Sequence, residues 1–225
     1  MRVPLKTKAG KLKRAARDPA RTQERILAAA LNEFATHGFA GARVDRIARR
    51  AAINKRMLYH YFGHKEGLFS EVLRRKMAER SRWFAAAPDD PAESLPYWFE
   101  LASGDLDWIR LLEWEALQRG GGKVINEEKR RQSAANAVED IRRRQRLGHL
   151  PEDLDPRHLL LAMISLTSYG LAFPQVARLI TGLSPNNSKY RKERMEFLRR
   201  LGAALRPGDQ SAIELKNQTV NSPRK

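Results

Sequence analysis

Residues 43–62, RVDRIARRAAINKRMLYHYF, constrain this chain more than any other stretch. Val44, Ile47, Ala48 and Ala51 recur at i, i+3, i+4 and i+7, which puts one apolar stripe on a short helix. Ala52 and Ile53 break the stripe. Asn54, whose side chain suits a helix start, then opens a second helix running to about Phe62. On it Leu58 and Phe62 share one side with Met57 and Tyr61 nearby, and Lys55, Arg56, Tyr59 and His60 hold the other arc. Two short helices and a tight turn, the second helix basic and aromatic outward, predict a helix-turn-helix with its recognition helix.

The chemistry suits double-stranded DNA. Lys55 and Arg56 sit at the N-terminal end, the part of a recognition helix that goes deepest into the major groove. Arginine can donate two parallel hydrogen bonds to guanine O6 and N7. Tyr59 and Tyr61 can donate to phosphate, and His60 can meet a base edge or a phosphate. A solvated helical hairpin with ordinary surface charge is the bland alternative, and the surroundings count against it.

Residues 22–69, TQERILAAALNEFATHGFAGARVDRIARRAAINKRMLYHYFGHKEGLF, resemble the DNA-binding domain of a TetR-family transcriptional repressor. ALNEFATHGF, VDRIARRA, LYHYF and HKEGLF carry the resemblance in combination. It implies DNA contacts from Arg43, Asn54, Lys55, Arg56, Tyr59, His60, Tyr61 and Lys65. Several positions depart from the family pattern. Ala42 stands where a Thr or Ser caps the second helix, and Ala52 replaces the turn glycine, so the turn must avoid a positive φ or tolerate it at a cost. Arg56 and Met57 replace a common Gly-Thr pair, and Tyr61 stands where His is frequent. These departures bear on the DNA sequence read, not on the fold.

A net charge of +17 on 225 residues implies an anionic partner. Without cysteine there is neither a disulfide framework nor a thiolate metal site, and a reducing cytoplasm is the expected compartment. Residues 1–21 form a basic arm with no apolar run of a secretory signal. The arm reads equally as a phosphate-tracking segment or as a solubilising tail. The first helix starts near Thr22, or earlier if Asp18-Pro19 caps it, with Leu27, Leu31 and Phe34 inward, Ile26 and Ala30 alongside, and Gly38 as its stop. At the Gly63-His64-Lys65 junction a new helix opens, where Lys65 and free N–H groups form a candidate phosphate clamp.

Further helices follow, all-α throughout, about nine in all: a three-helix reader and a larger bundle. Gly120-Gly121-Gly122 before Lys123 invites a phosphate-loop reading and fails it, because Leu117 and Val124 occupy positions the motif needs for Gly and Ser or Thr. Between Leu159 and Ala177 no charge appears; polar residues and Pro174 interrupt the stretch, so it reads as one buried helix rather than a membrane span. The organisation expected is an arm at 1–21, a reader at 22–67, a ligand-binding and dimerisation bundle at 68–205, and a disordered tail at 206–225.

In the family the bundle pairs with a twin and holds a small-molecule inducer, and residues 173–185 also look like the C-terminal part of many such regulators. Trp83, Phe84, Tyr97, Trp98, Phe99, Trp108, Trp114, Tyr169 and Phe173 are candidate pocket residues; core packing is the default for any single one. Two apolar stripes, Leu159, Met163, Leu166 and Gly170 on one helix and Tyr190, Arg194, Phe197, Leu198 and Leu201 on the last, are the expected homodimer contact. Enzyme readings fare poorly. His37, His60, His64, His149 and His158 show no metal-binding spacing, no serine sits in a nucleophile elbow, and no cofactor or metal is expected. A non-specific architectural protein would account for the charge but not for the long aromatic bundle.

Overall fold

Asp18 starts the first helix. Its carboxylate accepts the Arg21 N–H at 3.0 Å, and Pro19 follows at the first helical position, where a missing N–H costs nothing. Helix α1 (Pro19–Gly41) therefore takes the earlier of the two starts its sequence offers. The computed structural model describes residues 18–207, and among them are ten α-helices and no strand. Most of the basic arm and the tail from residue 208 lie outside the described residues. The chain divides into two compact units, with the boundary between Arg75 and Lys76.

The first unit holds α1, α2 (Val44–Arg50), α3 (Lys55–Phe62) and the opening turns of α4 (Lys65–Ala86). Ile26, Phe34, Ile47, Leu58 and Leu68 are fully buried in it, each such side chain contributing roughly 1.5–3 kcal/mol relative to exposure. Phe34 and Phe69 meet edge to face at 4.9 Å, with Phe39 beside both. Leu31 is only half-buried; Ile26 and Ala30 take the innermost line instead. Gly38, at φ 65°, interrupts α1 before a last turn to Gly41. At the other end of the reader, a Cβ on Gly67 would lie 2.2 Å from the Phe62 carbonyl oxygen, so the close approach of α4 to the end of α3 requires glycine there.

The second unit contains the rest of α4, α5 (Pro91–Gly104), α6 (Leu106–Arg119), α7 (Glu127–Arg146), α8 (Pro156–Ala172), α9 (Pro174–Thr181) and α10 (Ser188–Ala204). α5 packs against both α8 and α10, and Leu95, Phe99, Ile141, Leu150 and Leu198 form the shared core. The charge-free stretch is two helices, not one. Pro174 disfavours helical backbone at Phe173 (φ −118°, ψ 68°), and α9 leaves α8 at 89°. Among the described residues no single helix is long and apolar enough to cross a membrane. Arg206, expected at the start of a tail, is tied down: its Nε donates to Asp90 Oδ1 at 3.1 Å.

The expected dimer stripes are largely spent inside the subunit. Leu159, Met163 and Tyr190 belong to the core, with Leu166 packed against it. Gly170 sits against the Tyr190 hydroxyl, where a Cβ would come within 2.4 Å. Leu201 and Arg194 are half-buried, Arg194 donating to the Leu166 carbonyl at 2.6 Å. Only Phe197 of these is exposed, beneath the Arg194 guanidinium. α8 is apolar on more than one face, and its own bundle claims the stripe that periodicity picks out. The outward apolar residues are Leu161, Ile164, Tyr169 and Phe173, joined by Leu179 and Ile180 on α9.

Candidate nucleic-acid interface

The turn between α2 and α3 is built from Ala51 to Asn54. Ala52 adopts φ 51°, a left-handed conformation that costs an L-residue roughly 1–2 kcal/mol, so the turn tolerates the missing glycine at some strain. The Asn54 carboxamide then accepts the Met57 N–H at 2.7 Å and caps α3. This occupies a side chain otherwise counted among the DNA contacts. Leu58 anchors α3 from below, and Lys55, Arg56, Tyr59 and His60 face outward and exposed. Tyr61 is half-buried against the rings of His60 and Phe62.

The start of α2 corrects the expectation for Ala42, which is buried and closes α1. The N-cap is Arg43, and its side chain makes no cap bond. Glu33 does that work from α1: its buried carboxylate accepts the Arg43 N–H at 2.9 Å and Arg46 Nε at 2.7 Å. Burial alone would raise the Glu33 carboxyl, but the Arg43 N–H and the Arg46 guanidinium outweigh it and hold it below its usual value. A carboxylate at a helix N-terminus also answers the helix dipole. Glu33 is thus a positioning residue that the sequence reading missed. Its signal was available: a glutamate among the apolar positions of ALNEFA.

The cations of this surface differ in what holds them. Lys55 pairs with Asp45 at 3.0 Å, a bond that raises its ammonium. Lys65 does not point freely outward: it donates to the Ala40 carbonyl at 3.3 Å and lies 4.9 Å above the Phe39 ring, and burial pushes its ammonium down. His64 Nδ1 accepts the Gly67 N–H at 3.0 Å and caps α4. The side chains of Arg43, Arg49 and Arg56 carry no ion pair among the described residues. Arg56 therefore presents its full donor fork at the N-terminal end of α3, with the chemistry to read guanine.

The second unit holds a cavity of about 190 Å³, and a neighbouring cleft of about 530 Å³ shares part of its lining. Of the nine aromatic candidates for a ligand site, Phe84, Trp98 and Trp108 line the cavity. Trp83, Trp114, Tyr169 and Phe173 do not: Trp83 stacks under Arg80, Trp114 is half-buried elsewhere on α6, and Tyr169 and Phe173 meet each other on the outer surface at 5.0 Å. Tyr97 donates to the Trp83 carbonyl at 3.1 Å, and Phe99 is core. No group of three or more His, Cys, Asp or Glu among the described residues could hold a metal ion.

Two family models match this chain. Residues 26–72 match bacterial regulatory proteins of the tetR family, and residues 98–200 match a tetracyclin repressor-like C-terminal domain. The HTH-type transcriptional repressor SCO4008 of Streptomyces coelicolor is 34% identical over 168 residues, 75% of this chain and 88% of that protein. NicS of Pseudomonas putida, also an HTH-type transcriptional repressor, is 49% identical over 53 residues, 24% of this chain and 25% of its own. Among solved structures, the candidate transcriptional regulator SCO4942 of Streptomyces coelicolor superposes with a TM-score of 0.67 at 28% identity, covering 80% of this chain and 97% of that one.

Proposed function

The chain belongs to the TetR family, DNA-binding transcriptional regulators rather than enzymes, and from that premise we propose that it is a repressor, held as a homodimer on a palindromic operator and released by a small-molecule inducer. One observation carries the DNA part: Arg56 stands exposed and without an ion pair at the start of a capped recognition helix. Reading is assigned to residues 22–67; pairing and ligand binding are assigned to residues 68–205.

The outward line Leu161, Ile164, Tyr169, Phe173 and Phe197 supports the homodimer, because so much apolar surface is unusual on a lone subunit in water. A two-fold axis through it would present two copies of α3 to successive major grooves, about 34–36 Å apart or a related spacing. The cavity supports the inducer. A ligand that prefers the conformer with the readers wrongly spread lowers operator affinity through that preference alone.

Selection of bound fragments from genomic DNA by the purified protein tests the reading. The expected result is an inverted repeat upstream of genes whose transcription rises when the protein is deleted. Fragments sharing no repeat, bound with little preference, would favour an architectural role instead.

A further inference from the structure

The cavity carries a charge with no ion pair among the described residues. Arg80, on α4, lines both the cavity and the neighbouring cleft. Its guanidinium carbon lies 5.3 Å from the Trp108 ring centre and 5.6 Å from that of Trp83, and no carboxylate among the described residues comes within ion-pairing distance. Burial pushes this guanidinium down against the weaker pull of Asp105 and Glu79; Asp105 is itself bonded to Lys76 at 2.7 Å. A half-buried donor fork with no acceptor is costly to keep.

The other charged groups around this space are paired among the described residues, with one exception, Glu113. Arg144 is bonded to Asp140 at 2.8 Å and Arg130 to Glu115 at 2.6 Å; Asp140 is also held by Arg143 at 2.8 Å. Glu113 has no partner, but burial pushes its carboxyl up, toward the neutral form. A cation would have to sit among aromatic faces beside Arg80, which already occupies the face of Trp108. An anion would meet a planar fork whose geometry matches a carboxylate.

Resting on the inducer reading above, we propose that the ligand is an organic carboxylate, its apolar body between Phe84, Trp98, Trp108 and Met163 and its carboxylate on Arg80. The cavity's size fits one aromatic ring with a short chain, a little larger than the roughly 150 Å³ site that holds benzene.

The test uses the full chain and three probes of one shape: 4-phenylbutyrate, 4-phenylbutanol and 4-phenylbutyl-trimethylammonium. Quenching of tryptophan fluorescence should give the acid the tightest binding, about 10- to 100-fold tighter than the alcohol, with the cation weakest. Arg80→Gln should remove the acid's advantage while leaving the alcohol's affinity in place, which shows an intact cavity; Arg80→Lys should restore part of it. Preference for the cation or the alcohol, failure of all three to bind, or an unchanged acid preference in Arg80→Gln would overturn the assignment. Operator release is measured separately. An acid that binds through Arg80 without loosening DNA keeps the ligand class and removes the inducer reading.

Discussion

Arg56 and Arg80 are both guanidinium groups with no ion pair among the described residues, yet one stands in water and the other between indole rings. Their surroundings fit them to different partners. In water, salt screens the group within a Debye length of about 8–10 Å, so its attraction is strong only when many such groups act along one polyanion. Against apolar walls the same charge is screened far less, and a single well-placed acceptor suffices. One unit is thus suited to long, charged DNA and the other to one small anion.

Salt separates the two most sharply. Raising it from about 50 to 200 mM should lower operator affinity by about 10³–10⁵ if six to ten phosphates are engaged, while carboxylate binding at Arg80 changes little. Fluorescence anisotropy for DNA and tryptophan quenching for the acid, in the same buffers, make the measurement. Parallel slopes would erase the distinction.

Next in size is the outer apolar line of α8. Leu161→Glu, at an exposed position, should yield monomer by light scattering and weaken operator binding by about 100-fold or more through loss of the second half-site. A variant that stays dimeric would move the interface elsewhere. Arg56→Ala should cost about 1–3 kcal/mol of operator binding and relax base preference at one position, read by binding to a panel of single-base operator variants.

Two smaller effects concern the scaffold beneath Arg56. Glu33→Gln should lower the reader's stability by about 1–2 kcal/mol in urea denaturation, because one charge-assisted acceptor serves both Arg43 N–H and Arg46. Since the folded carboxyl is held below the ordinary value of 4.5, its contribution is complete above that pH and is lost as pH falls below it. The variant should therefore lose less of its stability than the parent on acidification. Ala52→Gly should add up to about 1 kcal/mol by relieving the positive φ, less the entropy glycine loses on folding, and leave DNA preference unchanged.

The reader was legible because its helices are short and each apolar stripe has one core to face. Ile47, Ala48 and Ala51 on α2 and Leu58 on α3 fall where periodicity puts them. The Asn54 cap is a local signal and was equally readable. Glu33 stands out among the apolar positions of ALNEFA, but its partner, a backbone N–H ten residues away, could not be read from the sequence. In α8 apolar residues occur around most of the helix, so spacing could not say that Leu159 and Met163 face the subunit's own core while Leu161 and Tyr169 face out. Nor could residue type say which of the nine candidate rings border empty space. Arg80 went unremarked because its lack of a partner is a property of the assembled bundle.

The recognition helix is held at both ends by residues that take no part in its outward face. Asn54 secures its first turn, Leu58 its underside, and the glycine at 67 lets the following helix close over its last carbonyl. Positions 55, 56, 59 and 60 are left as a removable label on a fixed mount. Exchanging those four side chains should readdress the protein to a new operator without refolding it, so that in a lineage of such chains the target could drift much faster than the architecture.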